Sequence, residues 1–352
     1  MARIHLGLVV LIAGLLAATA PGDRVVAQVG GPCDRACLNG FVDRYLAAMV
    51  AHDPSRLPLA ERARYTENGV TLTLGDGMWG PAIAMGSYQL HFADPKTGQA
   101  GFFGNLEEHG HPAILALRLR IENRQIGEME AIVIRSTARG GFAAPNDLTD
   151  KPIFSQPLAA SERRSREELV RIANSYFEGL EQATAALTPF DKDCQRIENG
   201  AIMANNPAGQ SEMLRMSCAE QFATGFSKII TKVRGRRYPL VDEERGLVYA
   251  LVSFDHNGRS KTTVWADGKA HPVTTPFDEP LTFLIGELFK IVDGKINRIE
   301  AVVLNVPYGM PFRDPPSGIN IPSNSVFWLA IRQGARLVKL GLDGGCVLRF
   351  NA

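Results

Sequence analysis

Apolar positions along the chain recur at helical spacing in two places and at strand spacing in many. Phe41, Tyr45, Leu46 and Met49 follow one another by one to four residues on one side of a helix, as do Leu169, Ile172, Tyr176 and Leu180, which predicts two amphipathic helices. After each helix the period drops to two. "GVTLTLG" (69–75) alternates. Two longer stretches, "AILALRLRIENRQIGEMEAIVIR" (113–135) and "LTFLIGELFKIVDGKINRIEAVVL" (281–304), each read as a pair of strands split by a polar turn. Asp293-Gly294 is the hairpin signal of the second pair. Asp53 before Pro54 caps a short helix. A further hairpin is expected in 247–278, with Asn257-Gly258 in its turn.

The pattern is written twice. Glu67-Asn68-Gly69 returns as Glu198-Asn199-Gly200 at an offset of 198 − 67 = 131, and Tyr45 returns as Tyr176 at the same offset. "LEEHG" set against "VDEERG" pairs Glu108 with Glu244 at 136, and the last strands pair Glu130 with Glu300 at 170. The offset grows in one direction, as in a duplicated unit with insertions. Helices followed by antiparallel strands give an α+β fold: two tandem cone-shaped units, each a curved antiparallel sheet wrapped around N-terminal helices. The units span 33–137 and 163–308. Residues 138–162, rich in Pro, Gly and Ser, are a linker or a strap across the units, and 309–352 form a tail that matches neither.

The helix and strand of "RYLAAMVAHDPSRLPLAERARYTENG" and the closing "GEMEAIVI" resemble the nuclear transport factor 2-like, or SnoaL-like, superfamily. The second unit follows it more loosely, and the resemblance covers about residues 35–137 and 163–306. It implies apolar cones in which a shifted Asp or His moves protons and a Tyr or His donates to an oxyanion. It also implies a range of activities: isomerases, dehydratases, cyclases and lyases without cofactor, beside non-catalytic members. No set of catalytic positions is common to that superfamily, so none is carried over.

Length and composition fit two globular domains: 352 residues, 45% hydrophobic and 21% charged. Residues 1–27 have a basic start at Arg3, an apolar run from Leu6 to Ala18 and small residues before a cut after Ala27, which reads as a cleaved secretory signal. The alternative is an uncleaved anchor, but the run falls short of the ~20 residues a spanning helix needs. The expectation is a secreted or periplasmic protein with no integral membrane segment after cleavage. Net charge is +1, and loss of Arg3, Arg24 and Asp23 leaves the chain neutral, with no electrostatic case for a nucleic-acid partner. The basic "KVRGRRY" (232–238) before "VDEER" reads as a mixed-charge solvated face. Of five cysteines, Cys194 with Cys218 is the favoured bridge. Cys33 with Cys37 is a local one, though Cys37 could pair elsewhere, and Cys346 is left over.

The chain has no GxSxG, GxxxxGK or HExxH motif, and no organic cofactor is expected. Residues matched between units, Tyr45 with Tyr176 and Glu67 with Glu198, read first as structural. His52-Asp53 belongs to a turn. The unmatched Trp79, Tyr88, His91 and Asp94 are stronger candidates. On a helical turn His91 and Asp94 would share a face, with His91 as base and Asp94 orienting it. Tyr45 or Tyr88 would support an oxyanion. Trp79, Tyr65 and Arg135 would hold substrate. His109 and His111, two apart, have metal-ligand spacing if His91 converges on them. These residues give a cofactor-independent lyase, dehydratase or isomerase acting in the first cone on a small apolar or phenolic molecule. The alternative is a non-catalytic module binding a ligand or an envelope protein. In either case a homo-oligomer would form through the sheet faces.

Overall fold

The computed structural model describes residues 33–135, 145, 148–274 and 276–311. The expected signal segment, Cys346 and the tail beyond 311 lie outside the described residues. Helix α1 (Arg35–Val50) begins where the Asp34 carboxylate accepts the Cys37 N–H, and buries Leu38, Phe41, Tyr45 and Met49. A 3-10 turn capped by Asp53 follows. Then come β1 (Leu59–Glu67), β2 (Val70–Leu72), β3 (Ala82–Asp94), β4 (Gln99–Glu108), β5 (His111–Glu122) and β6 (Gln125–Arg135), in the sheet order β2-β1-β6-β5-β4-β3. The sheet is mixed, not wholly antiparallel: β1 runs parallel to β6. Helix α2 (Pro152–Ser155) lies in the strap.

The second half repeats the plan with α3 (Arg166–Gln182), β7 (Phe190–Glu198), β8 (Ala201–Ile202), α4 (Glu212–Arg215), α5 (Cys218–Ala223), β9 (Lys232–Asp242) and β10 (Leu247–Asn257). A small hairpin of β11 (Thr262–Val264) and β12 (Ala270–Pro272) precedes β13 (Pro280–Val292) and β14 (Lys295–Pro307). The sheet order is β8-β7-β14-β13-β10-β9, again with one parallel pair, β7 and β14. The expected hairpin at Asn257-Gly258 is displaced: β10 ends there, and the turn falls at Asp267-Gly268 between β11 and β12. Both cysteine pairs, Cys33–Cys37 and Cys194–Cys218, are bridged.

The repeated Glu-Asn-Gly has a physical cause. Asn68 and Asn199 sit at φ 54° and 47°, in the left-handed region that Asn tolerates, and the glycine after each is left-handed too. Each Asn amide then clamps the last strand of its sheet. Asn199 Oδ1 accepts the Val303 N–H at 2.8 Å while its Nδ2 donates to the Val303 carbonyl at 2.9 Å, and Asn68 treats Val133 the same way. Asn199→Ala loses both bonds and keeps the strained φ, so chemical denaturation should show a loss of about 2 kcal/mol. An unchanged midpoint would mean that the clamp adds nothing.

Strand register corrects one match made from sequence. "VDEERG" is the counterpart of "ADPKTG" (93–98), not of "LEEHG". Gly98 and Gly246 are both left-handed, and their carbonyls accept the N–H of Ile121 and Ile291, each at 2.8 Å. Asp94 therefore matches Asp242 at an offset of 148.

The two sheets pack on each other through their helix-free faces. Phe92, Phe103 and Ile132 of the first meet Tyr249, Leu288 and Val302 of the second, with Phe154 of the strap buried among them. The faces through which copies were expected to associate are thus covered within the chain. Charged pairs cross the seam reciprocally. Arg166 donates to Asp94 at 2.7 Å, and Arg35, its counterpart in α1, pairs with Asp242. Arg237 pairs with Glu130, and the Tyr88 hydroxyl donates to Glu300 at 2.8 Å. "KVRGRRY" is accordingly no solvated face: Arg234, Arg236 and Arg237 are held by Asp255, Glu181 and Glu130.

Candidate functional site

The interior of the first half is filled. Trp79 donates its indole N–H to the Tyr45 hydroxyl at 2.9 Å, with the rings edge to face at 5.1 Å and both side chains buried. Tyr65 donates to Glu67 at 2.7 Å, and Glu67 also accepts the Met78 N–H at 2.6 Å. Arg135 forks onto Glu108 at 2.5 and 2.7 Å. The polar groups of Tyr45, Trp79, Tyr65 and Arg135 are thus spent on one another and on buried carboxylates.

His91 and Asp94 are not brought together. Both lie on β3, where side chains alternate, so a spacing of three sends them to opposite faces. His91 turns to the helix and meets Asp43 at 2.8 Å, whereas Asp94 turns to the other half and takes Arg166. Tyr88 also faces the seam, with Lys151 stacked 4.5 Å over its ring. His109 and Gly110 form the β4–β5 turn and His111 is exposed. His91 lies opposite Phe102 and His111 opposite Glu108, six strand positions apart and on the order of 20 Å, so the three histidines do not converge. Among the described residues no group of three His, Cys, Asp or Glu could hold a metal.

The second half encloses a cavity of about 330 Å³ on the helix side of its sheet. Phe226, Ile229, Phe254, Phe277 and Phe283 wall it. Tyr176, Arg196, Glu198, His256 and Glu287 bring ionisable groups into it. Register explains why the halves differ. Ala131 and Ala301 are equivalent, and the residues flanking them are Glu67 and Leu117 in one sheet and Glu198 and Glu287 in the other. Glu287 thus replaces a core leucine, and by the same register Arg196 replaces Tyr65. The two insertions of the second half, between β8 and β9 and between β10 and β13, supply Met213, Gln221, Phe226, Ile229 and Phe277 to the walls. The first half has Trp79 in place of the first insertion and only His109-Gly110 in place of the second.

Glu287 is the unusual group. It is 2% exposed, and its Oε2 has no hydrogen-bond partner. Burial, and next the charge of Glu198, push its pKa up to about 8. Arg196 and the Tyr176 hydroxyl favour the ionised form without offsetting this. Arg196 is engaged with Glu198 at 3.0 Å and lies 5.7 Å over the Phe226 ring. Burial raises the Tyr176 pKa well above its ordinary value, so its hydroxyl remains a donor. Gln221 donates its amide to the Met213 carbonyl at 2.6 Å and leaves Oε1 unpartnered. A carboxylic acid that titrates near neutrality, beside a cation and a phenol in an apolar cavity, can take and return a proton while the cation and phenol hold developing negative charge.

Sequence reasoning looked for the site in the first half, whereas the cavity lies in the second, and it read the matched Tyr176 and Glu198 as structural although both line that cavity. Glu287 had a legible signal, as the one acid within the apolar run "LTFLIGELFKIV".

A family model described as a domain of unknown function, DUF8021, matches residues 162–303, the stretch that carries the cavity. No curated protein matches the chain. Among solved structures it is similar to a candidate isomerase from Bacillus subtilis, at 12% identity over 39% of this chain and 87% of that one, with a TM-score of 0.27. It is similar to AclR, a candidate hydroxylase from Streptomyces galilaeus, at 12% identity over 40% and 91%, TM-score 0.26. It is also similar to a candidate ketosteroid isomerase from Kribbella flavida, at 12% identity over 34% and 93%, TM-score 0.25. Likenesses this weak carry no argument about what the chain does.

Proposed function

We propose that the chain is an exported tandem of nuclear transport factor 2-like cones whose second unit is a cofactor-independent proton-transfer site, of the isomerase or lyase kind, for a small and mostly apolar molecule. The observation that carries this reading is Glu287, an acid buried in the lining of an apolar cavity with its pKa raised to about 8. For a carbonyl substrate, the Glu287 carboxylate takes the proton from the carbon beside the carbonyl. The electron pair of that C–H bond moves to form the enolate, and Arg196 and the Tyr176 hydroxyl stabilise the oxyanion. Glu287 then returns the proton to the same or a conjugated carbon, so the enzyme ends unchanged. The first unit serves as packing and as the opposite wall of the seam.

The test is exchange of the α-hydrogens of 4-phenylcyclohexanone in deuterated water, followed by proton NMR. Base catalysis requires the ionised form of Glu287, so the rate above buffer should climb through about pH 8 and then level. No exchange above buffer, with the ketone bound, would leave a ligand-binding module instead.

A further inference from the structure

His256 lies on β10 opposite Leu281, six positions along β13 from Glu287. Six is even, so both side chains leave the cavity-lining face of the sheet. At about 3.3 Å per residue the two positions are separated by on the order of 20 Å, so they serve opposite ends of the cavity. The imidazole is 2% exposed and flanked by the rings of Phe277 and Phe283 at 5.2 and 5.1 Å. Neither ring nitrogen makes a hydrogen bond of good geometry, and the Ile229 backbone beside the ring only weakly favours its charged form. The equivalent position in the first half is Glu108, which Arg135 holds. In the second half Asn305 takes the place of that arginine, so the ion pair that closes this end of the first interior has no counterpart.

A buried imidazole whose nitrogens lack well-formed hydrogen bonds is costly to the fold, and a ligand that pairs them offsets the cost. Burial drives the His256 pKa down to about 4, against weaker opposing influences from the Ile229 backbone and Asp255, so the ring is neutral at ordinary pH. A neutral ring presents one N–H donor and one acceptor. A hydroxyl can answer either, whereas a carboxylate would enter an apolar space with no cation beside this ring to neutralise it.

We infer that His256 anchors a neutral hydroxyl at the far end of an elongated apolar ligand whose near end presents a carbonyl to Glu287, which makes the substrate class a hydroxy-ketone. The carbonyl end rests on the proton-transfer reading of Glu287; the hydroxyl end rests on His256 alone.

The test compares two rigid ketones long enough to span the cavity that differ only in the distal group, 4-(4′-hydroxybiphenyl-4-yl)cyclohexanone and 4-(biphenyl-4-yl)cyclohexanone, by titration calorimetry on the full chain. The wild-type protein should bind the hydroxylated ketone roughly ten-fold more tightly or better. His256→Phe, which keeps the ring and removes the polar atoms, should abolish the preference while still binding the plain ketone, and His256→Gln should restore part of it. Equal affinities in the wild type, a preference that survives in His256→Phe, or no binding of either ketone would each overturn the inference. Glu287→Gln should keep the hydroxyl preference, and its exchange rate reports on proton transfer alone, so the two readings fail separately.

Discussion

Glu287→Gln should lower α-hydrogen exchange by roughly 10²–10⁴-fold, the usual contribution of a positioned base, and should also remove a pH dependence of stability. The amide fills the same space and cannot ionise. The sign of the stability effect follows from the direction of the shift. Unfolded, Glu287 titrates near 4.5; folded, it titrates near 8, raised by burial and the facing Glu198 against the pull of Arg196 and Tyr176. Between those values the unfolded chain has lost the proton that the native chain keeps. This group therefore favours the fold fully below about pH 4.5, and that advantage is lost as pH rises through about 8. The slope approaches about 1.4 kcal/mol per pH unit where the two states differ by a whole proton. Urea denaturation at pH 5, 7 and 9 should show the wild type weakening relative to Glu287→Gln across that range. If the two proteins kept parallel stabilities and equal exchange rates, Glu287 would be neither the perturbed acid nor the base.

The architecture was legible because duplication writes the same constraint twice. The Asn of Glu-Asn-Gly must sit in the left-handed region and clamp the last strand, so the motif survives in both halves where surface residues drift. The helix periodicity was equally plain, since Tyr45 and Tyr176 each lie on the buried stripe of their helix. The candidate site was not legible, for a reason that begins with one misplaced match. Setting "VDEERG" against "LEEHG" left Asp94 without a counterpart, and a residue without a counterpart reads as functional. In three dimensions Asp94 and Asp242 are a reciprocal pair that receive Arg166 and Arg35 across the seam. The converse error touched Tyr176: a matched residue need not do the same work in both halves, because its surroundings decide whether its hydroxyl is spent or free to act. The cavity depends on the insertions that line it, and the amphipathic pattern of their short segments does not reveal which way they face.

Trp79→Ala is the variant that separates the two halves most sharply. Trp79 is 1% exposed, meets Tyr45 edge to face and gives that hydroxyl its hydrogen bond. Truncation removes a large buried aromatic, opens a void and leaves a buried phenol without its donor. A loss of about 3–5 kcal/mol is expected, seen as a fall in Tm on the order of 10 °C. Because the void is apolar and shaped by an indole, millimolar indole should bind it and recover part of the loss, as mass action requires of any ligand that prefers the native state. Tyr176 occupies the matching helix position, yet it faces a cavity of about 330 Å³ instead of a tryptophan. Tyr176→Phe should consequently cost little stability and act mainly on exchange. If Trp79→Ala lost less than about 1 kcal/mol and ignored indole, the first interior would be able to collapse around the gap. The contrast between a plugged half and an open one would then have to rest on Leu117 and Glu287 alone.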